Sequence, residues 1–209
     1  MKFLLLPLCL ILAITPAQAK EAVGFLSEVY GEVSIQPVGE ADAKPANLND
    51  QIFIGDKILT DMDEQAIVEF TDGTIINVTG KDGELTIDEF VYDPEDPSEN
   101  KSRFSILRAA FEYTSGLVSK GHNNSSIRLD FGSIGIRGTH IFRAMQDMEC
   151  WIYVEDGIID VSNNAGQVTL NHGEGTRMSS QYIEPHAAGV WKQNKIDWVK
   201  AEVARKSAQ

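Results

Sequence analysis

Basic residues are scarce in this chain of 209 residues. It has 18 lysines and arginines against 31 aspartates and glutamates, which gives a formal net charge of −13. Proteins that bind nucleic acid or anionic lipid need clustered basic residues to replace the counterions of the phosphates. The composition therefore excludes nucleic acid as an expected partner and argues against docking on an anionic membrane surface.

Cysteine is scarcer still, because the chain contains only Cys9 and Cys150. Cys9 falls within a predicted signal peptide, so the mature chain would keep one thiol and could form no internal disulfide. Stability must then come from core packing. Cys150 begins the strand-like run Cys150-Trp151-Ile152-Tyr153-Val154, which predicts a buried and unreactive thiol rather than a reactive one.

The one long hydrophobic run lies at the N-terminus. A basic start precedes an apolar stretch over residues 3–14, and Ala17 and Ala19 complete the small-residue pattern of a signal-peptidase site. The stretch is shorter than the roughly 20 residues that a membrane-spanning helix needs. The sequence therefore predicts a signal peptide over 1–19 that is cleaved after Ala19, a periplasmic location, and no membrane span after its removal.

Catalytic and metal-binding motifs are also missing. The chain has neither a phosphate-binding glycine loop nor the Gly-x-Ser-x-Gly elbow of hydrolases. Its histidines lie far apart in the sequence, without the short spacings that are typical of zinc sites. They are His122, His140, His172 and His186. The sequence therefore predicts a protein that is not an enzyme, with no catalytic residue, no assigned metal ligand and no cofactor.

The acidic residues are concentrated in one third of the chain. Residues 40–100 contain 17 acids and 3 lysines, a net charge of −14. The densest part is 88–99, where Pro94 and Pro97 fix the backbone and indicate an exposed loop. The loop lacks the spacing of an EF-hand. Two interpretations stay open: a solvated loop that favours solubility, or a contact for calcium or a basic partner.

Short strand patterns dominate the rest of the chain. Alternating apolar residues are separated by turn residues about every 8–12 positions, and Asp-Gly pairs stand at 72–73, 82–83 and 156–157. This pattern predicts an all-β fold of stacked short antiparallel strands, sandwich or roll-like. We expect Asp72-Gly73 to join two strands as a hairpin and Asp156-Gly157 to separate two more. The alternation over 104–113 fits both a strand and a helix.

The C-terminal segment has a different pattern. Residues 187–205 contain Gly189 but no proline, and Trp191, Lys195 and Trp198 recur at helical spacing. This pattern predicts an amphipathic helix packed on the sheet, with docking onto a partner as the alternative. The expected organisation is a signal peptide over 1–19, a β domain over 20–145, and a β extension with the C-terminal helix over 146–209.

The most distinctive string is Ser133-Ile134-Gly135-Ile136-Arg137-Gly138-Thr139. Its glycines favour a bulge or a close backbone approach. The planar guanidinium of Arg137 suits a carboxylate or backbone carbonyls. Two interpretations follow: an anion-binding corner, or an arginine that ties a strand end to one of the many acids.

Several motifs occur in the order found in FecR-type periplasmic domains. They are Gly31-Glu32-Val33, Gly55-Asp56-x-Ile58-x-Thr60, the strand and turn from Ala66 to Thr74, Thr114-Ser115-Gly116-Leu117-Val118, and Ile134-Gly135-Ile136-Arg137-Gly138-Thr139. The chain resembles this family over a core of residues 55–140. The resemblance implies an all-β, non-catalytic domain outside the inner membrane, with 104–113 extended. It marks as motif positions, structural or binding, Gly55, Asp56, Thr60, Asp72, Gly73, Gly135, Arg137, Gly138 and Thr139.

These observations favour a periplasmic protein-interaction, sensing or scaffold module that contacts another envelope protein. The family's regulators carry a cytoplasmic segment and a membrane span before this domain, whereas this chain has its predicted signal peptide there. The alternative is a module that binds envelope glycan or calcium, through loop 88–99 or through exposed aromatic residues such as Tyr92 and Trp151. An enzyme acting on envelope polymers is the least favoured class.

Overall fold

A computed structural model describes residues 20–120 and 124–204, so the predicted signal peptide over 1–19 lies outside the described residues. Strands make up 52% of the described residues and helices 7%, which confirms the predicted all-β class. The strands are β1 Gly24–Tyr30, β2 Ser34–Gln36, β3 Lys44–Pro45, β4 Gln51–Ile52, β5 Lys57–Thr60, β6 Gln65–Phe70, β7 Ile75–Thr79, β8 Gly83–Val91, β9 Lys101–Leu107, β10 Ala110–Thr114, β11 Ser125–Arg128, β12 Ser133–Gln146, β13 Glu149–Ser162, β14 Gln167–Asn171, β15 Glu174–Met178 and β16 Gly189–Val190. A 3₁₀ helix covers Pro97–Glu99, and the α-helix α1 covers Gln193–Glu202.

The strands form one curled sheet. Its path runs β3-β2-β5-β8-β9-β11-β12-β10-β7-β6-β1-β4. Outside this path, β13 pairs with β12, both β14 and β15 pair with β13, and β16 pairs with β15. Among the described residues the pairing is antiparallel except between β9 and β11. The long strand β12 carries β11 against its first half and β10 against its second half, with β13 along its other edge. This placement makes β12 and β13 the frame of the second half of the molecule.

The first Asp-Gly pair forms the predicted hairpin. Gly73 has a φ of +84°, and Phe70 exchanges backbone hydrogen bonds with Thr74 and Gly73 across the turn between β6 and β7. Glycine takes this left-handed conformation without the penalty that a Cβ would add. The ambiguous segment 104–113 forms strand rather than helix, as the family resemblance implies, because it ends β9 at Leu107 and begins β10 at Ala110. Arg108, with a φ of +56°, separates the two strands.

The expectation for Asp156-Gly157 is wrong. The pair does not separate two strands, because β13 runs unbroken from Glu149 to Ser162. Its register with β12 shifts between Arg137 and Ile141, where Gly138 has a φ of +61° and Gly157 a φ of +86°. Gly138 and Gly157 therefore accommodate a β-bulge in the middle of the long β12–β13 pair, and both strands bend there but continue.

Strand alternation divides the apolar residues of β12 and β13 between two cores. Ile141, Ile152 and Val154 enter the main core, whose aromatic centre is formed by Phe70, Phe90, Phe104 and Tyr113 with ring centroids 5.0–6.5 Å apart. The neighbouring residues Phe142, Ala144 and Tyr153 point to the opposite face. That face is covered by Trp191 and by Val199 and Val203 from the C-terminal segment.

The predicted C-terminal helix is confirmed but shorter than expected. Helix α1 begins at Gln193, because Gly189–Val190 pairs with β15 and Lys192 stays extended. Gly189–Val190 therefore forms an edge strand, and residues 187–192 do not join the helix. At the other end, Asn77 donates a hydrogen bond of 2.8 Å from Nδ2 to the carbonyl oxygen of Val203 and ties the helix end to β7. Residues 205–209 lie outside the described residues.

Candidate functional site

The motif residues Gly55, Asp56 and Thr60 fix the turn before β5 and the end of that strand. The buried carboxylate of Asp56 accepts hydrogen bonds of 3.0 Å from the backbone amides of Val38 and Phe53. Gly55 has a φ of +88°, and a Cβ there would lie 2.6 Å from a Val38 methyl carbon. Thr60 donates its hydroxyl hydrogen to Gly80 at 3.0 Å. These contacts hold loops together and leave no charged group free for a ligand.

Asp72 organises a second and more buried cluster beside the Gly73 turn. Its carboxylate accepts hydrogen bonds from the amide of Thr74 (2.8 Å), the hydroxyl of Thr74 (2.9 Å) and the amide of Val118 (3.0 Å). A Cβ at Gly116 would lie 2.6 Å from the Asp72 carbonyl oxygen, so the two turns require glycine to come this close. Asp72 therefore joins the β6–β7 turn to the segment after β10.

The last motif runs along β12 and meets the Asp72 cluster. The amide of Thr139 donates a hydrogen bond of 2.7 Å to Ser115 Oγ, in the same segment that Asp72 binds. Gly135 lies opposite Asp160 on β13, and Arg137 Nη2 is 2.5 Å from Asp160 Oδ2. The structure thus connects Asp72, Gly73, Gly138 and Thr139 through 115–118, while Gly55, Asp56 and Thr60 stay apart. The guanidinium of Arg137 already has a carboxylate.

Loop 88–99 is exposed from Asp93 to Glu99. Asp93 Oδ1 accepts the amide hydrogens of Glu95 and Asp96, so this carboxylate shapes its own turn. A hydrogen bond from Lys101 lowers the pKa of Glu89. Within 20–120 and 124–204, no three His, Cys, Asp or Glu side chains come together as a metal site would require. The calcium interpretation of this loop thus gains no support from its geometry.

A pocket beside α1 collects all three tryptophans of the chain. We call it the tryptophan pocket, and it has a volume of about 540 Å³. It is lined by Gln146, Trp151, Val190, Trp191, Lys192, Asn194, Lys195 and Trp198. Its size lies in the range of pockets that hold a small ligand or a short peptide segment. None of the described residues that line it is acidic.

Strand and helix position the rings of the tryptophan pocket. Trp151 projects from β13 and meets Trp191 and Trp198 edge-on, with ring centroids 6.0 and 6.1 Å away. Trp191 stacks on Tyr153 at 5.5 Å and covers Gly175, where a Cβ would lie 2.6 Å from its Nε1 atom. Trp191 is buried and anchors the wall, whereas Trp151 and Trp198 are half-buried and stay accessible from the pocket.

Of the two lysines that line the tryptophan pocket, Lys195 lies against the indole rings. Its Nζ atom lies 4.0 Å from the ring centroids of both Trp151 and Trp191, a cation–π geometry that holds the ammonium in place. Burial and then the nearby charge of Arg177 lower the pKa of Lys195, and Glu149 partly offsets this. Glu149 itself pairs with Arg177 at 3.0 Å. Among the described residues no carboxylate pairs with Lys195 or Lys192.

Sequence reasoning named the members of this pocket without joining them. Trp191, Lys195 and Trp198 were expected on one helix, but Trp191 precedes α1, which begins at Gln193. Trp151 was expected as an exposed aromatic residue on a strand, and it is half-buried on β13. The available signal was the confinement of all tryptophans to 151–198. Tyr92, the other exposed aromatic candidate, lines a separate cavity of about 380 Å³ with Phe53 and Ile54.

No protein-family model and no curated protein sequence matches the chain. Two solved structures share its fold, each described as a candidate anti-sigma factor from Parabacteroides distasonis ATCC 8503. The first is 13% identical with a TM-score of 0.53, covering 68% of this chain and 62% of that one. The second is 11% identical with a TM-score of 0.51, covering 69% of this chain and 64% of that one.

The chain matches less than two thirds of the length of either solved structure. At these identities the likeness shows the fold alone. It agrees at a coarse level with the FecR-type resemblance, which otherwise depends on the motifs. None of the helices formed by the described residues has the length and apolar character needed to cross a membrane.

Proposed function

We propose that this chain is a non-catalytic, regulatory protein-interaction module of the periplasm, and that it binds an envelope protein through the tryptophan pocket. The observation that carries the proposal is the pocket, in which half-buried indole rings and an unpaired lysine lie on a rigid frame of β12, β13 and α1. Tryptophan is among the residues that contribute most to binding when they lie in the centre of a protein interface.

The fold supports a regulatory role. The two solved structures with this fold are described as candidate anti-sigma factors, a class that acts by binding other proteins. The order of the FecR-type motifs points the same way. In this chain the motif residues hold turns and strand ends, so the motifs supply the scaffold and the second half of the chain supplies the binding surface.

The proposed location depends on the N-terminal pattern. A basic start, an apolar stretch over 3–14 and the Ala17-x-Ala19 site are typical of a cleaved signal peptide. The single cysteine of the mature chain is buried and free, so an oxidising compartment would neither stabilise nor damage the fold through disulfides. Export would leave the tryptophan pocket facing envelope proteins.

Affinity capture in the native host tests this proposal. The tagged chain should be recovered from the periplasmic fraction with Lys20 as its first residue, and it should retain a partner protein after cross-linking. Trp198→Ala should reduce partner recovery by about tenfold, because it removes an accessible ring from the pocket and leaves the buried anchor Trp191 in place.

Leu48→Ala is the matched control, because Leu48 is a large apolar residue that is 59% exposed on the loop between β3 and β4. It should leave partner recovery unchanged. The melting temperatures of both variants must stay near that of the parent chain, so that a loss of partner recovery can be attributed to weaker binding and not to unfolding. Equal recovery by Trp198→Ala and the parent chain would contradict the proposal.

A further inference from the structure

We infer that the tryptophan pocket recognises a short acidic segment of the partner protein, with a carboxylate bound to Lys195 and an adjacent apolar side chain lying against Trp198 and Val190. This inference rests on the proposed function and specifies the chemistry of the partner. Charge, burial and ring geometry each support it.

The charge of the tryptophan pocket is opposite to that of the whole chain. The chain has a net charge of −13, yet the lining contains two lysines and none of its described residues is acidic. Elsewhere the lysines of this chain commonly pair with its acids, as Lys57 does with Glu84 and Lys200 with Glu155. Lys192 and Lys195 form no such pair among the described residues, so a carboxylate of another molecule would complement the charge of both.

The position of Lys195 favours a carboxylate as its partner. The two indole rings restrict the ammonium at 4.0 Å from each centroid. When a carboxylate binds, the Lys195 side chain would therefore lose less conformational entropy than a free surface lysine would. The group is also partly withdrawn from water, where a charge-assisted hydrogen bond is stronger than at an open surface.

The apolar wall of the tryptophan pocket favours a peptide that is not purely acidic. Val190 is 81% exposed and lines the pocket together with the half-buried ring of Trp198. An apolar or aromatic side chain would cover both. Gln146 and Asn194 lie at the same pocket and carry amide groups that can donate to and accept from a peptide backbone.

Ring geometry argues against a glycan in this pocket. A sugar ring binds tryptophan by lying on an open indole face, but the ammonium of Lys195 already stands over the rings of Trp151 and Trp191, so that among the described residues only Trp198 of the three rings has no such ammonium over it. A nucleic acid is disfavoured by the net charge of the chain, which would repel a polyanion. A short segment with one or two carboxylates meets neither obstacle.

Peptide selection on the full mature chain provides the test. A display library of short random peptides is selected on the immobilised protein, with a counter-selection on the Lys195→Gln variant. We expect enriched peptides to carry Asp or Glu beside an apolar or aromatic residue. Enrichment of peptides without an acid, or no enrichment that depends on Lys195, would overturn the inference.

Fluorescence titration with a selected peptide completes the test, because all three tryptophans of the chain lie at the site. Lys195→Gln should weaken binding by about tenfold, and so should a peptide whose acids are replaced by amides. Lys195→Arg should keep the affinity. Lys81→Gln, which removes an exposed lysine from the turn between β7 and β8, should leave it unchanged.

The outcomes separate this inference from the proposed function. If oligosaccharides of N-acetylglucosamine bind and acidic peptides do not, the peptide assignment is wrong. If partner capture depends on Trp198 but acidic peptides fail to bind, the tryptophan pocket is still the interaction site, and only the assignment of an acidic segment is wrong. If capture and peptide binding both fail, both are wrong.

Discussion

Replacing Arg143 with methionine is expected to lower the free energy of unfolding by about 3 kcal/mol. Arg143 is fully buried on β12, where its guanidinium donates to Asp130 at 2.8 Å, to Cys150 Sγ at 3.3 Å and to the carbonyl oxygen of Ala109. Methionine fills most of the volume but supplies no donor. The carboxylate of Asp130 then keeps the amide of Arg108 but loses its cationic donor, and the Ala109 carbonyl loses the guanidinium as well. These lost hydrogen bonds dominate the cost.

Arg137 provides a matched control on the same strand. It also pairs with an aspartate, but its side chain is 49% exposed. Water can replace that ion pair, so Arg137→Met should cost less than about 1 kcal/mol. Chemical denaturation followed by circular dichroism measures both variants. Equal losses for Arg137→Met and Arg143→Met would show that Arg143 does not act as a buried structural cation.

Asp72→Ala should have a similarly large effect, a loss of about 3 kcal/mol, which corresponds to a fall of roughly 6–12 °C in the melting temperature. The substitution removes the acceptor for the amides of Thr74 and Val118 and for the Thr74 hydroxyl, all within a buried cluster. Unsatisfied buried amides are costly because no water replaces the lost bond. Differential scanning calorimetry measures the change.

Asp96 makes a comparable turn at the surface, where its Oδ1 atom accepts from the amide and hydroxyl of Ser98 at 3.2 and 2.6 Å. Water is available to both donors there. Asp96→Ala should therefore leave the melting temperature unchanged. A fall as large as that of Asp72→Ala would mean that the turn itself, rather than burial of its donors, carries the stability.

Local sequence signals predicted the strands well because alternation and turn chemistry act over a few residues. The Asp72-Gly73 hairpin follows from such signals, whereas the alternation over 104–113 left strand and helix open and only the family resemblance implied a strand. The prediction that Asp156-Gly157 separates two strands was wrong because it also depended on local signals alone. A glycine with positive φ serves a turn and a bulge alike, and only the pairing with the bulge at Gly138, far away in sequence, decides between them.

Features that depend on contacts between residues far apart in the sequence were harder to predict. The start of α1 was misplaced because β15 captures Gly189–Val190, which helical periodicity within 187–205 does not reveal. Arg143 gave no signal, since a charged residue on an alternating strand is normally expected to face water. The tryptophan pocket joins β13 to α1 across more than forty residues, so its parts were visible in the sequence and its assembly was not.

The central claim is that the tryptophan pocket is the surface that binds a partner, and site-specific photo-cross-linking in living cells tests it most directly. A photoreactive residue placed at Asn194, which is exposed at the pocket, should give a discrete adduct with an envelope protein, and Trp198→Ala should abolish that adduct. The same residue at Met62, which is 65% exposed in the acidic region, should give none. An adduct at Met62 and not at Asn194 would contradict the claim.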